Sequence, residues 1–139
     1  MVMHTAMQVL LVAIGSSLGG LARWGVTAWF GRLFGTAFPW GTLFINVSGS
    51  LFLGWFTTIL AERLVLDKSW LKADDLRLLV AVGFTGAYTT FSTFEYESHS
   101  LLGDGDALAA SAYVALSVFF GLLAVRGGVI LARLGGGAS

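Results

Sequence analysis

Residues 83–97 read GFTGAYTTFSTFEYE. They close an uncharged run from Leu78 to Phe94, yet two glycines and three threonines stand at its centre. Gly83 and Gly86 weaken a helix through backbone entropy, and the β-branched Thr85, Thr89 and Thr90 weaken it further. Hydroxyls of Ser and Thr also bond backwards to carbonyls and bend the chain. The stretch therefore predicts a helix interrupted at about 86–90. Such a break leaves carbonyls at the end of one half-helix and amides at the start of the next. In lipid those groups need partners. Discontinuous membrane helices meet that need by binding ions, cations at carbonyl ends and anions at amide ends. The expectation is an ion at the bilayer midplane.

The rest of the chain supports a membrane setting. Of 139 residues, 56% are hydrophobic and 12% charged, with a mean hydropathy of +0.82. A soluble domain carries about twice that charge. Cysteine is absent, which excludes disulfides and thiolate metal sites, and a net charge of zero gives no footprint for nucleic acid. Further uncharged runs cover Val2–Ala22, Leu33–Ala61 and Ala107–Val125. A span needs roughly 20 predominantly apolar residues. The pattern predicts an all-α membrane protein, one domain over 1–139, with four transmembrane helices at about 6–30, 40–61, 76–100 and 106–131. The first run lacks a basic leader and continues past Arg23 to Phe30, so it reads as a span rather than a cleaved signal.

Both termini and the 62–77 loop fall on one side. That side holds Arg63, Lys68, Lys72, Arg77, Arg126 and Arg133, against Arg23 and Arg32 opposite, which favours cytoplasmic termini. Leu64, Leu66, Trp70 and Leu71 among the loop's charges suit an interfacial segment. Small residues supply close helix packing: Gly15 and Gly19 at GxxxG spacing, then Gly41, Ser48, Gly49, Ser50 and Gly54. Four short helices make a thin wall, so a conducting path calls for a dimer or larger assembly.

Polar residues inside the spans each need a reason. Asn46, in GTLFINVSGS, either makes an interhelical hydrogen bond or presents its amide donors to an anion. Arg23 either snorkels or keeps a wet vestibule positive. Phe91 and Phe94 are three apart and share a helix face. They are packing residues or offer electropositive ring edges to an anion, with Ser92, Thr93 and Asn46 as true donors. Glu97 continues that face and is odd beside an anion path unless protonated or hydrogen-bonded. Tyr113 and Ser117, four apart, form either a polar rail continued by Gly121 or ordinary back-bonding hydroxyls.

Three motifs together resemble the Fluc/CrcB fluoride channels: GGLAR in the first span, GTLFINVSGSLFLG in the second and GFTGAYTTFSTFE in the third. The resemblance covers all four spans. It implies an antiparallel, dual-topology homodimer whose broken third helices cross on the two-fold axis. It further implies a structural sodium ion (Na+) there, held by the backbone carbonyls of Gly86 and Thr89 of both subunits. Two fluoride pores would flank the ion. Phe91 and Phe94 match the family's pore phenylalanines, Asn46 the pore asparagine, Ser92 and Thr93 the hydroxyls between the rings, and Tyr113 and Ser117 the fourth-helix polar track. Glu97 matches the acid near the pore end and Arg23 the vestibule arginine. The implied activity is passive fluoride export across a bacterial or archaeal plasma membrane, the cell inner membrane, conferring fluoride resistance.

Two departures stand out. Gly121 replaces a hydroxyl of the track, and the Lys/Arg bias is larger than dual topology requires, which leaves pairing with a homologous subunit open beside the homodimer. The alternative class is a small four-helix drug/proton antiporter, but it needs a carboxylate in the first span, where none occurs. An intramembrane hydrolase needs a nucleophile with a base in reach. The only histidines are His4 and His99, and the neighbours of His99, Ser98 and Ser100, point elsewhere on a helix.

Overall fold

A computed structural model describes residues 2–62 and 72–135. The interfacial segment expected around 64–71 lies outside the described residues, as do Arg63 and Lys68. All regular secondary structure among the described residues is helical. Helix α1 spans Val2–Phe34 and α2 spans Trp40–Glu62. A composite element follows: a short α3 (Ala73–Leu76), a π-helical segment (Arg77–Thr85) and a last turn α4 (Gly86–Tyr88). After an interruption, α5 spans Phe91–Gly103 and α6 spans Ala107–Leu134. Among the described residues three helices, from His4 to Phe34, α2 and α6, are long and apolar enough to cross a membrane. The stretch expected to form the fourth crossing folds as two shorter helical pieces on either side of an interruption.

The turns carry recognisable signals. Gly35, just past α1, has φ +73°, a conformation that favours glycine. Gly105 (φ +84°) does the same after α5. Its neighbour Asp106 then caps α6, the carboxylate accepting from the Ala109 N–H at 2.9 Å. So short a connection makes α5 and α6 antiparallel neighbours.

Glycines set the packing. A Cβ on Gly15 would fall on the Leu79 carbonyl, and one on Gly19 on the Phe84 carbonyl. The GxxxG face of α1 thus lies backbone to backbone against the π segment, with Gly83 facing Gly15. Likewise a Cβ on Gly54 would strike the Val125 carbonyl, and one on Gly128 the Leu51 carbonyl. This seam joins α2 to α6. Close approach of this kind replaces the hydrophobic drive that is missing between helices in lipid.

The distribution of side chains is that of a membrane protein. Among the described residues the buried set is small and partly polar, with Thr42, Asp75, Thr85 and Thr90 beside Ile45, Leu60, Tyr113 and three alanines. Many large apolar residues lie outside, among them Trp24, Phe91, Leu108 and Leu122. Buried Asp75 begins the third element by accepting from the Lys72 N–H at 3.2 Å.

The π segment was not expected. The sequence predicts trouble from Gly86 onward, yet the wide turns begin at Arg77. Two bonds of i−5 reach mark its end: the Gly86 N–H donates to the Ala81 carbonyl and the Thr85 hydroxyl to the Val80 carbonyl at 2.9 Å. π-turns are rare and concentrate at functional sites.

Candidate ion site at the helix break

The interruption is two residues long. Thr89 (ψ 157°) and Thr90 (φ −150°, ψ 115°) are extended, and the helix restarts at Phe91. Three side chains make this possible. Asn46, on α2, pairs with Thr90 in both directions: its Nδ2 donates to the Thr90 carbonyl at 3.1 Å and its Oδ1 accepts the Thr90 N–H at 2.9 Å. The Thr90 hydroxyl caps α5, accepting from the Thr93 N–H at 3.3 Å and donating to the Thr93 hydroxyl at 2.9 Å. The Thr89 hydroxyl returns to the Thr85 carbonyl at 2.9 Å.

This network diverts two helix donors. In an unbroken helix the Thr90 N–H would serve the Gly86 carbonyl, and the Thr93 N–H would serve the Thr89 carbonyl. Here the first goes to Asn46 and the second to the Thr90 hydroxyl. The carbonyls of Gly86 and Thr89 therefore lose their usual partners. Carbonyl oxygens suit a hard cation, but one chain offers too few of them for a complete shell.

A cavity of about 320 Å3 opens at the break. Asn46, Gly86, Thr89, Phe91, Phe94 and Ser117 all line it. The Phe91 and Phe94 ring centroids are 5.8 Å apart, and Phe91 is 70% exposed. The Ser117 hydroxyl is buried with no hydrogen-bond partner among the described residues. A buried hydroxyl in that state is a donor available to a ligand.

One turn back along α2 and one turn onward along α5 lies a second cavity of about 280 Å3, lined by Thr27, Thr42, Glu97, Ser100 and Asp104 among others. Glu97 is held from two sides. The Thr42 hydroxyl donates to Oε1 at 2.9 Å and the Tyr113 hydroxyl to Oε2 at 2.8 Å. Tyr113 is wholly buried between the rings of Phe38 and Phe94, with centroids at 5.5 and 5.2 Å.

Several expected site residues are thus brought together, and others are set apart. Asn46, Gly86, Thr89, Phe91, Phe94 and Ser117 share one cavity. Glu97 lines the other. Tyr113 does not form a rail with Ser117, because its hydroxyl is turned to Glu97. Ser92 and Thr93 are exposed and lie outside both linings. Arg23, half-exposed on α1, lines neither. Two residues were missed. Thr42 lies one turn before Asn46 on the same helix face, a spacing that could have flagged it. Thr90 belongs to the TT pair, but nothing local shows that its backbone is the partner of Asn46.

Apolar helices around polar cavities define a multi-pass membrane protein. A profile of the family described as "CrcB-like protein, Camphor Resistance (CrcB)" matches residues 10–129. The chain is 42% identical to the "Fluoride-specific ion channel FluC" of Trichormus variabilis over 132 residues, 95% of this chain and 93% of the relative. It is 44% identical to "Fluoride-specific ion channel FluC 1" of Nitrobacter hamburgensis, over 91% of this chain and 95% of the relative. A FluC of Chloroflexus aurantiacus is 43% identical over 94% and 98%. The chain belongs to the CrcB-like family, and within it resembles the fluoride-specific FluC channels.

Proposed function

We propose that this protein is a passive, fluoride-selective channel of the plasma membrane that lets cytoplasmic fluoride out and so relieves its toxicity. The observation that carries the reading is the cavity at the break, where the Ser117 hydroxyl, the Asn46 amide and the Phe91 and Phe94 rings converge. Asn46 spends one N–H and its oxygen on Thr90, which leaves one N–H for an anion. Ring edges add a weak attraction. A narrow path lined by donors and rings favours the smaller halide, because a larger ion cannot be matched contact for contact.

Hydrogen fluoride is a weak acid that crosses membranes uncharged and ionises inside. A negative interior then drives the anion out, so neither nucleotide nor proton coupling is needed. The chemistry is transport rather than catalysis.

The working unit is an antiparallel dimer, of this chain with itself or with a homologous subunit. Supporting this, Phe91 is exposed, and a Cβ on Gly86 would meet only the Ala81 carbonyl, at 3.9 Å. Nothing among the described residues of the subunit requires a glycine there, whereas a second copy crossing at the break would. The Gly86 and Thr89 carbonyls would hold a structural sodium ion, whose charge would satisfy carbonyls that lipid cannot. In this reading Thr42 and Tyr113 fix the Glu97 carboxylate at the pore end, and Arg23 keeps the vestibule positive.

Fluoride efflux from liposomes tests the reading. Purified protein is reconstituted, voltage is clamped with a potassium ionophore, and fluoride and chloride are followed by electrode. Fluoride release without chloride release is expected. Its absence from a folded, dimeric sample, with and without a co-reconstituted homologue, would sink the channel.

A further inference from the structure

The outer face of α6 is a continuous apolar stripe with one charge inside it. Leu108, Phe119, Leu122, Leu123 and Ile130 are exposed along it, and Arg126 stands between Leu123 and Ile130. The opposite face is the one that packs: Gly128 meets the Leu51 backbone, and Ser117 faces the cavity at the break. Ser117 and Arg126 are nine residues apart, two and a half turns, which puts them on opposite sides of the helix.

The depth of Arg126 follows from its neighbour. Arg133 shares its face seven residues later and pairs with Glu62, the last residue of α2, at 2.8 Å. That exposed ion pair marks the aqueous edge of the bundle. At a 1.5 Å rise per residue, Arg126 lies about 10 Å inside it. No described residue hydrogen-bonds or ion-pairs with Arg126. A permanently charged guanidinium cannot remain unpaired in hydrocarbon, so its long apolar stem must carry the head toward the interface. The group waiting there is a phosphate, which matches the planar fork of donors in two parallel hydrogen bonds.

We propose that Arg126 is a lipid-binding residue that holds the phosphate of an anionic phospholipid against the outer face of α6, with the acyl chains lying along Leu122, Leu123 and Ile130. The second copy of the chain is the competing occupant. The placement disfavours it, since the cavity and the exposed Phe91 that await a neighbour lie on the other side.

Native mass spectrometry tests this on the 139-residue chain, released from micelles doped with phosphatidylglycerol or with phosphatidylcholine. The wild type should retain phosphatidylglycerol, and more of it than phosphatidylcholine. Arg126→Gln should reduce retention severalfold, Arg126→Lys should recover part of it, and Arg32→Gln, at the opposite end of the bundle, should leave it unchanged. Equal retention by wild type and Arg126→Gln overturns the proposal. So does efficient cross-linking between chains of Arg126→Cys, which reads cleanly because the protein has no other cysteine. Lipid retention is measured without fluoride flux, so the outcome stands apart from the channel reading.

Discussion

The side-chain amide of Asn46 and the backbone of Thr90 form a closed, two-bond pair, 3.1 Å in one direction and 2.9 Å in the other. A side chain on α2 here does the work of a neighbouring strand. It satisfies both polar groups of the residue at which the third element is interrupted. The pair also frees the Gly86 carbonyl, so one asparagine both tolerates the break and exposes an oxygen.

Replacing Asn46 with Leu strands the Thr90 N–H and C=O in an apolar setting. Each unpaired buried group costs about 1–3 kcal/mol. Asn46→Leu should lower the unfolding midpoint in detergent substantially and abolish fluoride efflux. Asn46→Asp keeps the acceptor and loses the donor, and should fall between. A stable, conducting Asn46→Leu protein would contradict the role given to the pair.

The glycines divide into two groups by what a Cβ would meet. Gly19→Ala and Gly54→Ala drive a methyl into the Phe84 and Val125 carbonyls and should each destabilise by about 1–3 kcal/mol. Gly20→Ala and Gly127→Ala meet nothing within 4 Å and should stabilise by about 0.5–1 kcal/mol through helix propensity. Thermal unfolding of the four variants in one detergent separates the groups. The same loss at all four positions would rule out the packing described.

Tyr113 and Glu97 should be energetically coupled. Tyr113→Phe removes the donor to Oε2, and Glu97→Gln weakens both hydroxyl bonds. Hydrogen bonds to a charged group contribute about 1.5–3 kcal/mol, and groups sharing one network give non-additive doubles. A double-mutant cycle on unfolding should return a coupling of at least about 0.5 kcal/mol. Additive single effects would show that the two side chains act independently.

Phe94→Ile should slow fluoride efflux roughly tenfold while leaving the fold intact. The Phe94 ring pairs with Phe91 and Tyr113; an aromatic pair contributes about 0.5–1.5 kcal/mol beyond its area, and 1.4 kcal/mol is a factor of ten. Circular dichroism and gel filtration check folding alongside the electrode trace. Unchanged flux in a folded variant would remove Phe94 from the pore.

Sodium removal makes a separate forecast. Efflux from vesicles prepared free of sodium, with N-methylglucamine replacing it on both sides, should be reduced and should recover when sodium is returned. Flux indifferent to sodium would leave the Gly86 and Thr89 carbonyls without the cation given to them.

The all-helical membrane class is written plainly in this sequence. Uncharged runs of that length have few other fates, because backbone polar groups in lipid must be satisfied within the segment. The weakness of the third element is equally local, since glycine and threonine lower helix propensity wherever they stand. Which oxygens are released is not local. That depends on Asn46, 44 residues before Thr90, reaching across from another helix. The split between the two cavities is also tertiary: Tyr113 and Ser117 share a helix face, yet one hydroxyl finds Glu97 and the other finds no partner among the described residues. The π segment lies in backbone contact with Gly15 and Gly19 of α1, a pairing that residues 77–85 do not reveal on their own. Composition and periodicity determined the kind of molecule, because they act within one turn of helix. Tertiary structure decided which polar groups are spent on one another and which are left for an ion, because those pairings join residues that only packing brings within 3 Å.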